Sequence, residues 1–546
     1  PGTDVQSFKN KLYQHEINRE VVIKKISMIP LTSMHYEDLT IDREVEFQHI
    51  ILFAVAGILV ILCSLFNFLT MFVCRFRIRE KEFALRMITG ASGRSLLSLL
   101  LVEFFVTLIP SFLLSLVFIQ LTVKPFQKLA DIHTGLSSIY AESIGYIGMV
   151  IVLALLFFVL LLLLFQKRSL NASIRKHKNN GFRQASIVFQ LVISIVFLFA
   201  TIVLMKQVYF LHHTDLGFTY KNTGAFASSS FGQNPLLLDA LEDDLKQIPE
   251  ITEVLKCESP LLPVLVRSNY LPKDWDDKPS DRKQIEISIL YISKQYADFY
   301  GFQFIEGEIP NEEESAENVL INESLAKVLG WQHAVGKKID GHEVKGMIRN
   351  IHSSLPTVPV APILYQVSPP LYGYNSIVFK YQEGKWDTCK SKIEPLITNV
   401  ARLYNAEEAY NEFLHSENAL LRLLSFVSLV CIAIAVFGFF SLISLSCEER
   451  RKEIAIRKIN GATMRDILAM YFKTYFSLLI IGAVIAFPIG YYIMKQWLEQ
   501  YVKQTDISAW IYLAIIFVMA FVIILCVGWR VYKASVENPA EVLKTE

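Results

Sequence analysis

Residues 79–97 read REKEFALRMITGASGRSLL, and residues 450–468 read RRKEIAIRKINGATMRDIL. At an offset of 371 residues, ten of the nineteen positions are identical, among them two arginines, a glutamate and a glycine that recur in the same order. Each copy follows one long apolar run and precedes another. A charged segment repeated between apolar runs indicates a duplicated membrane unit, and the charged loop is the part that the two copies share.

The composition places the chain among membrane proteins. Hydrophobic residues make up 53% of the 546 residues and charged residues only 19%. The excess is concentrated in seven stretches, each long enough to cross about 30 Å of hydrocarbon as a helix. They lie at residues 48–74, 96–122, 145–165, 184–208, 420–446, 472–495 and 509–529. We therefore predict seven membrane-spanning helices.

The distribution of Lys and Arg orients these helices. Segments 75–94, 167–183, 450–465 and 530–544 are rich in both residues, whereas 123–144 and 496–508 carry few. The positive-inside rule assigns the four basic segments to the cytoplasm. Residues 209–418 then form a large domain on the outer side.

The repeat also bears on the beginning of the chain. By its offset, Pro1 corresponds to Tyr372, and the second unit has a span and most of its external domain before that position. The chain begins without Met or a signal-peptide pattern. We therefore expect a preceding span and most of a first external domain, roughly 200 residues, to be missing from this sequence.

The external segment has the composition of a soluble domain, with frequent Pro and Gly between short patterns. Alternating residues predict strands at 285–291 and 343–348, and helical periodicity predicts helices at 323–329 and 385–404. These patterns predict a mixed α+β domain.

No motif in the sequence predicts catalysis or a metal site. The chain has no GxxxxGK[ST] loop to cradle phosphates, and no grouping of Ser, His and Asp suggests a hydrolase. No CxxC or His/Cys cluster suggests a metal. The spacing of Cys257 and Cys389 leaves open whether they pair in an oxidising compartment. We expect a chain that is not an enzyme and binds no cofactor itself.

Helical spacing gives the repeated loop a charged face. In each copy a Glu stands three residues after one Arg and four before another, so on a helix it can pair with both. The following Gly is suited to a left-handed helix cap. The candidate site residues are Arg79, Lys81, Glu82, Arg86 and Gly90 in the first copy and Arg450, Lys452, Glu453, Arg457 and Gly461 in the second.

Two interpretations of this loop differ in what they explain. Basic residues that only set topology and meet anionic lipid account for Lys and Arg. Docking of a cytoplasmic partner also accounts for the repeated Glu and Gly, and for a slim apolar side formed by Ala84, Ile88 and Ala91. Glu103, at the edge of an apolar run, is expected to snorkel to the membrane surface or to contact this loop rather than to mark a polar path.

The segments REKEFALRMITGAS and RRKEIAIRKINGAT resemble the cytoplasmic loop of the permease subunits of MacB/FtsX-type ABC transporters. Residues 320–355, LINESLAKVLGWQHAVGKKIDGHEVKGMIRNIHSSL, resemble part of their periplasmic domains. The resemblance covers essentially the whole chain and is greatest to the long, twofold-repeated permeases. The two loops differ at Glu80 against Arg451 and at Thr89 against Asn460, so they need not be equivalent.

This resemblance implies a polytopic α-helical protein of a bacterial inner membrane, with seven transmembrane helices, duplicated FtsX-like three-helix units and a periplasmic α+β domain. The two loops would be coupling helices that dock on a separate ATPase subunit, which would carry the ATP and Mg. The implied segments are 1–47 (remnant of a first periplasmic domain), 48–166 (first FtsX-like unit), 167–183 (cytoplasmic linker), 184–208 (transmembrane helix), 209–418 (second periplasmic, MacB-like core domain), 419–530 (second FtsX-like unit) and 531–546 (cytoplasmic tail).

Three functions follow as hypotheses. The first is a permease that exports or extracts a hydrophobic compound, peptide or lipoprotein. The second is an FtsX-like mechanotransmitter that controls a periplasmic partner such as a cell-wall hydrolase. The third is a membrane sensor, which needs no ATPase and predicts no repeated docking segment. The expected partners are an ABC ATPase, membrane lipid, and a membrane-fusion or periplasmic protein, with no nucleic acid.

Overall fold

The computed structural model describes residues 47–130, 135–166, 181–228, 231, 234–262, 268–279, 285–310, 317–354, 356–367, 373–397 and 401–536. Of the implied remnant 1–47, only Phe47 is among them. Residues 167–180 of the implied linker and 537–546 of the implied tail lie outside them as well.

The described residues form long apolar helices and a mixed set of short elements between them. The helices are α1 (Phe47–Ile78), α2 (Glu80–Ile88), α3 (Gly93–Ala130), α4 (Leu136–Gln166), α5 (Gly181–His213), α6 (Pro235–Lys246), α7 (Lys294–Tyr300), α8 (Glu323–Leu329), α9 (Trp386–Ile397), α10 (Ala406–Phe413), α11 (His415–Glu449), α12 (Arg451–Ile459), α13 (Met464–Leu498) and α14 (Ala509–Val536). The strands are β1 (Thr223–Ala227), β2 (Ile251–Cys257), β3 (Ser268–Tyr270), β4 (Ile287–Ile292), β5 (Phe304–Gly307), β6 (Asn318–Asn322), β7 (Lys338–Ile339), β8 (His342–Ile348), β9 (Ile363–Val367), β10 (Ser376–Tyr381) and β11 (Arg402–Asn405).

Seven of these helices, α1, α3, α4, α5, α11, α13 and α14, are long and apolar enough to cross a membrane, which confirms the predicted number. A helix is favoured there because it satisfies its own backbone groups where no water is available. The sequence repeat is also a structural repeat. The offset of 371 residues relates both ends of α2 to those of α12 and the first residue of α3 to that of α13.

The chain divides into two compact units, residues 1–198, 422–486 and 515–546, and residues 199–421 and 487–514. In the first unit, aromatic rings join α1, α3 and α4. Phe158 lies 4.4 Å from Phe72 and 4.7 Å from Phe104 between ring centroids. Helix α5 packs closely on α13, since a Cβ added at Gly482 would lie 3.1 Å from the Leu191 side chain.

The second unit contains the external domain, which is built on two sheets. One is antiparallel with strand order β11-β1-β10-β2, and the other is mixed with order β3-β4-β9-β6-β8-β5. A shared core contains side chains of both sheets, such as Val378 of β10 and Tyr365 of β9. Helices α6 and α9 cover the opposite face of the antiparallel sheet, where Phe379 is buried. This arrangement confirms the predicted α+β class.

The two cysteines of the external domain are unpaired and lie on opposite faces of the antiparallel sheet. Cys257 belongs to the shared core, whereas Cys389 belongs to the cluster beneath α6 and α9. A disulfide requires Cα atoms within about 7 Å and converging Cβ vectors. The intervening sheet therefore excludes the pairing that the sequence left open.

One predicted helix of the external domain is wrong in its second half. Helical periodicity predicts a helix over residues 385–404, but α9 ends at Ile397 and residues 402–405 form β11. Strand β11 pairs antiparallel with β1, Ala225 opposite Tyr404. Tertiary pairing has overridden the local pattern, and Pro395, which has no backbone N–H to donate, weakens the last turn of α9.

The loop between α13 and α14, residues 499–508 (the outer loop), is tied to α5 within the second unit. Gln207 is fully buried, and its amide donates to the Lys503 carbonyl at 2.9 Å and accepts from the Thr505 N–H at 2.8 Å. Lys206 donates to the Asp506 carbonyl at 2.6 Å and to the Ser508 hydroxyl at 2.7 Å.

The outer loop also binds the external domain. The Val502 N–H donates to the Pro356 carbonyl at 3.1 Å, and the Lys503 ammonium donates to the Asp215 carbonyl at 2.7 Å. Five of these six bonds use the side chain of Gln207, Lys206 or Lys503, and four of the six end on a backbone carbonyl. The outer loop therefore connects α5 to the external domain through hydrogen bonds on both sides.

Replacing Asn322 by Ala is expected to destabilise the mixed sheet. Asn322 is fully buried at the start of α8, where its Oδ1 accepts from Leu325 and Ile363 and its Nδ2 donates to the Ala361 carbonyl. Losing these bonds leaves buried partners unsatisfied and should cost about 2–3 kcal/mol.

Faster amide exchange in β6 and β9 of the full chain would register this loss. The matched control is Asn234→Ala, which removes an exposed cap with one long bond of 3.4 Å and should cost under about 1 kcal/mol. Equal effects of the two substitutions would show that the buried bonds of Asn322 stabilise the domain no more than the exposed cap of Asn234 does.

Acid is expected to weaken the external domain through His352. Burial, and then the nearby cations Lys503 and Arg349, lower the pKa of His352 from 6.5 to about 4, although Asp215 acts in the opposite direction. The unfolded chain therefore binds the proton more readily. Stability is complete above about pH 6.5 and is lost as the pH falls towards 4, by up to about 3 kcal/mol.

Amide exchange around residues 350–354 measured between pH 7 and pH 4, after correction for the intrinsic rate, should report this loss. A His352→Gln variant should flatten the pH dependence, and a His342→Gln control should retain it. The same slope in wild type and His352→Gln would show that another group is responsible.

Candidate functional site

The first charged loop folds as α2, between α1 and α3, and its ion pairs are those that the helical spacing predicts. The Glu82 carboxylate accepts from Arg79 at 2.8 and 3.2 Å and from Arg86 at 2.8 Å. The hydrogen bond from Arg79, with the Coulombic attraction of both arginines, lowers the pKa of Glu82. The hydrogen bonds of Arg79 to Glu82 and then to Glu103 raise the pKa of Arg79, so Glu82 and Arg79 are both charged at neutral pH.

Arg79 also connects this loop to the following membrane helix. Its guanidinium donates to Glu103 of α3 at 2.5 Å and lies 5.0 Å from the ring centroid of Phe83. Phe83 is buried against Leu100 and Phe104 of the same helix. Glu103 therefore contacts the loop, which is one of the two alternatives that its place at the edge of the apolar run left open.

Glycine ends both loop helices. Gly90 has φ +100° and Gly461 has φ +89°, a region that side chains with a Cβ rarely adopt. In each copy the N–H of the next residue returns to an Arg carbonyl, from Ala91 to Arg86 and from Ala462 to Arg457, both at 2.9 Å. This is the left-handed cap that the sequence predicts.

The second loop, α12, repeats only part of the charged pattern. Glu453 accepts from Arg457 at 2.9 Å, but Arg450 forms no ion pair with any carboxylate among the described residues. The residue equivalent to Glu103 in the second half is Thr474, which cannot pair with an arginine in this way.

The second loop is held instead through the last residue of the preceding helix. Glu449, the last residue of α11, accepts from Arg183 of α5 at 3.0 Å, and Arg183 is only 11% exposed. The equivalent of Glu449 in the first half is Ile78. The first loop is therefore fixed to its own three-helix unit, and the second loop to α5.

The apolar side chains of the loop helices divide into an exposed and a buried set. Ile88 of the expected slim apolar side is 76% exposed, and Ile459 at the equivalent position is 60% exposed. Leu85 and Ile456, three residues earlier, are 63% and 51% exposed. Phe83 and its equivalent Ile454 are buried, and so is Ala455 in the second loop.

We call Leu85 with Ile88, and Ile456 with Ile459, the apolar ridges of the two loops. Each ridge lies beside an exposed arginine, Arg86 or Arg457, that is paired with the glutamate of its own helix. Sequence analysis missed Leu85 and Ile456, although the recurrence of a bulky aliphatic residue at both repeat positions was a signal. The side chains of Lys81 and Lys452 lie outside the described ones.

Replacing Glu103 by Thr gives the first half the residue of the second half and should loosen α2. The Arg79 and Glu103 side chains are 35% and 40% exposed, so their pair is partly screened by water. We expect amide exchange in α2 to accelerate about threefold while α12 is unaffected.

A Glu449→Thr variant is the reciprocal experiment and should loosen α12 without affecting α2. Thr474→Val serves as the control, because it removes a hydroxyl that bonds only to the Met470 carbonyl of its own helix. If Glu103→Thr leaves exchange in α2 unchanged, Arg79 does not hold the loop through α3.

Residues 54–174 and 425–539 match the family described as FtsX-like permease C-terminal. No curated protein matches the chain in sequence.

Two solved structures are similar to part of the chain. One is the extracellular domain of the noncanonic ABC-type transporter YknZ from Gram-positive bacteria, at 12% identity and a TM-score of 0.24, covering 34% of this chain and 100% of that one. The other is a domain described as that of a permease protein from Porphyromonas gingivalis, at 14% identity and a TM-score of 0.22, covering 34% of this chain and 92% of that one.

The two matched segments contain the two repeated helical units, each with its charged loop. Together with the seven helices and the external domain, they establish a multi-pass membrane protein with a large extracellular domain. The chain belongs to the FtsX-like permeases of ABC transporters and carries the helical unit of that family twice.

Proposed function

We propose that this chain is the membrane subunit of an ABC transporter in a bacterial inner membrane, and that α2 and α12 are the surfaces on which a separate ATPase subunit acts. ATP hydrolysis by that subunit would move the periplasmic domain, and this motion would export or extract a hydrophobic compound, peptide or lipoprotein. ATP and Mg would be held by the ATPase, consistent with the lack of a phosphate-binding loop in this sequence.

The observation that carries the proposal is the pair of apolar ridges. Both loop helices lie outside the candidate membrane spans, and both expose two bulky aliphatic side chains at the same repeat positions. Exposed apolar side chains rimmed by charge are typical of protein interaction sites. Because the adjoining Glu and Arg satisfy one another, a partner can cover the ridge without burying an unpaired charge.

Transmission to the outside is supported by the outer loop. The bonds of Gln207 and Lys206 to this loop, and of the loop to the external domain, leave few free torsions between α5 and that domain. A displacement of α5 on this path would move the domain instead of being absorbed in a flexible linker. A mechanotransmitter that controls a periplasmic protein would use the same docking helices and the same outer loop.

Polar substitution of both ridges is expected to release the ATPase. An Ile88→Ser and Ile459→Ser double variant removes two exposed side chains, each worth about 1.5–3 kcal/mol when buried at an interface. The amount of ATPase that co-purifies with the full chain from its native membrane should fall about tenfold or more.

Leu236→Ser is a suitable control, because Leu236 is exposed on α6 of the external domain. Membrane insertion, checked by the yield and elution profile of the purified chain, should be unchanged in both variants. Undiminished recovery of the ATPase with an intact double variant would refute docking through the ridges.

A further inference from the structure

A cleft of about 650 Å³ lies in the first unit at the end of the bundle that carries the charged loops. It is formed by α1, α3, α11 and α14, with Phe83 of α2 at its edge. The lining of the cleft combines aromatic and aliphatic side chains with three arginines. The residues that decide its chemistry are Phe72, Arg75, Arg79, Val106, Phe440 and Arg530.

Two of the three arginines have no carboxylate partner among the described residues. Arg75 is exposed at the end of α1 and forms no ion pair there. Arg530 folds back from α14, so that its Nη2 donates to the Ser444 hydroxyl at 2.6 Å and its guanidinium lies 4.4 Å from the ring centroid of Phe440. Its Nε is buried without an acceptor. A buried donor without a partner is costly unless a ligand or water supplies the acceptor.

The carboxylates in the cleft do not neutralise these two arginines. Glu103 is engaged by Arg79, and Glu448 is exposed at the rim without an ion pair among the described residues. Neither arginine belongs to the repeat. The positions equivalent to Arg75 and Arg530 are Ser446 and Val159.

The apolar part of the cleft opens towards the lipid phase. Val102 and Val106 belong to the candidate span Ser98–Gln127, and both are more than half exposed in the protein alone. Arg75 lies three residues beyond the end of the span Ala54–Phe72, at the depth of phospholipid headgroups. An occupant that satisfies both parts has an anionic head and a hydrocarbon tail.

We propose that this cleft binds one anionic phospholipid of the inner leaflet, with its phosphate on Arg75 and Arg530 and an acyl chain along Val106 and Phe440. A water-soluble anion would leave the apolar wall uncovered, and a hydrophobic cation would be repelled by the arginines. The lipid would lie beside Arg79, which holds the first loop, and would have no counterpart in the second half. The site is independent of the proposed docking, because the apolar ridges do not line the cleft.

Native mass spectrometry of the full chain, delipidated in detergent, tests this directly. The wild type should retain one dioleoylphosphatidylglycerol more tightly than dioleoylphosphatidylcholine. An Arg75→Gln and Arg530→Gln double variant should bind phosphatidylglycerol about tenfold more weakly. A Lys124→Gln and Lys495→Gln control removes the same charge from exposed residues near the opposite ends of α3 and α13 and should bind as the wild type does.

A second variant separates loss of the cleft from loss of charge or folding. Val106→Trp fills the apolar part without removing an arginine, and it should also weaken phosphatidylglycerol retention. The proposal is overturned if the two lipids bind equally, if the double variant binds as tightly as the wild type, or if the outer-lysine control loses as much. It is overturned as well if inorganic phosphate at about 10 mM displaces the lipid, since the site would then be one for a free anion.

Discussion

A charged side chain is costly in hydrocarbon, where it has no polar partner. The structure of this permease therefore depends on charged residues that lie at the ends of membrane helices and form ion pairs there. In the first half, Arg79 is held between the carboxylates of Glu82 and Glu103. In the second half, Glu449 is held by Arg183. These pairs connect the start of each loop helix to a neighbouring membrane helix, α3 for the first loop and α5 for the second.

The two halves of the protein connect their loop helices to the membrane helices in different ways. Duplication has preserved the bounds of the loop helices, their glycine caps and an internal Glu–Arg pair in each. It has not preserved the anchor, which is α3 for the first loop and α5 for the second. Helix α5 also carries Gln207, which is bonded to the outer loop. A force on the second loop therefore has a more direct connection to α5 than a force on the first.

Much of this architecture could be predicted from the sequence because its signals are local. Apolar runs predicted the seven helices, the spacing of Arg and Glu predicted the pairs of Glu82, and a contact with the loop was one of the two alternatives left open for Glu103. Signals that depend on tertiary context failed. The helical pattern that ends at residue 404 yields to the pairing of β11 with β1, and the burial of Phe83 in the first loop had no signal in the sequence. The outer loop bonds mainly through its backbone N–H and carbonyl groups, which leave no pattern in the sequence.

The proposed function requires that an ATPase covers the apolar ridges of both loops. A photo-crosslinking amino acid placed at Ile88, at Ile459 and, as a lipid-facing reference, at Leu113 of α3 would measure this in intact membranes. Docking predicts a crosslinked adduct with an ATPase at both loop positions and lipid adducts alone at Leu113. Lipid adducts alone at all three positions would contradict it, since the ridges would then lie in the membrane surface.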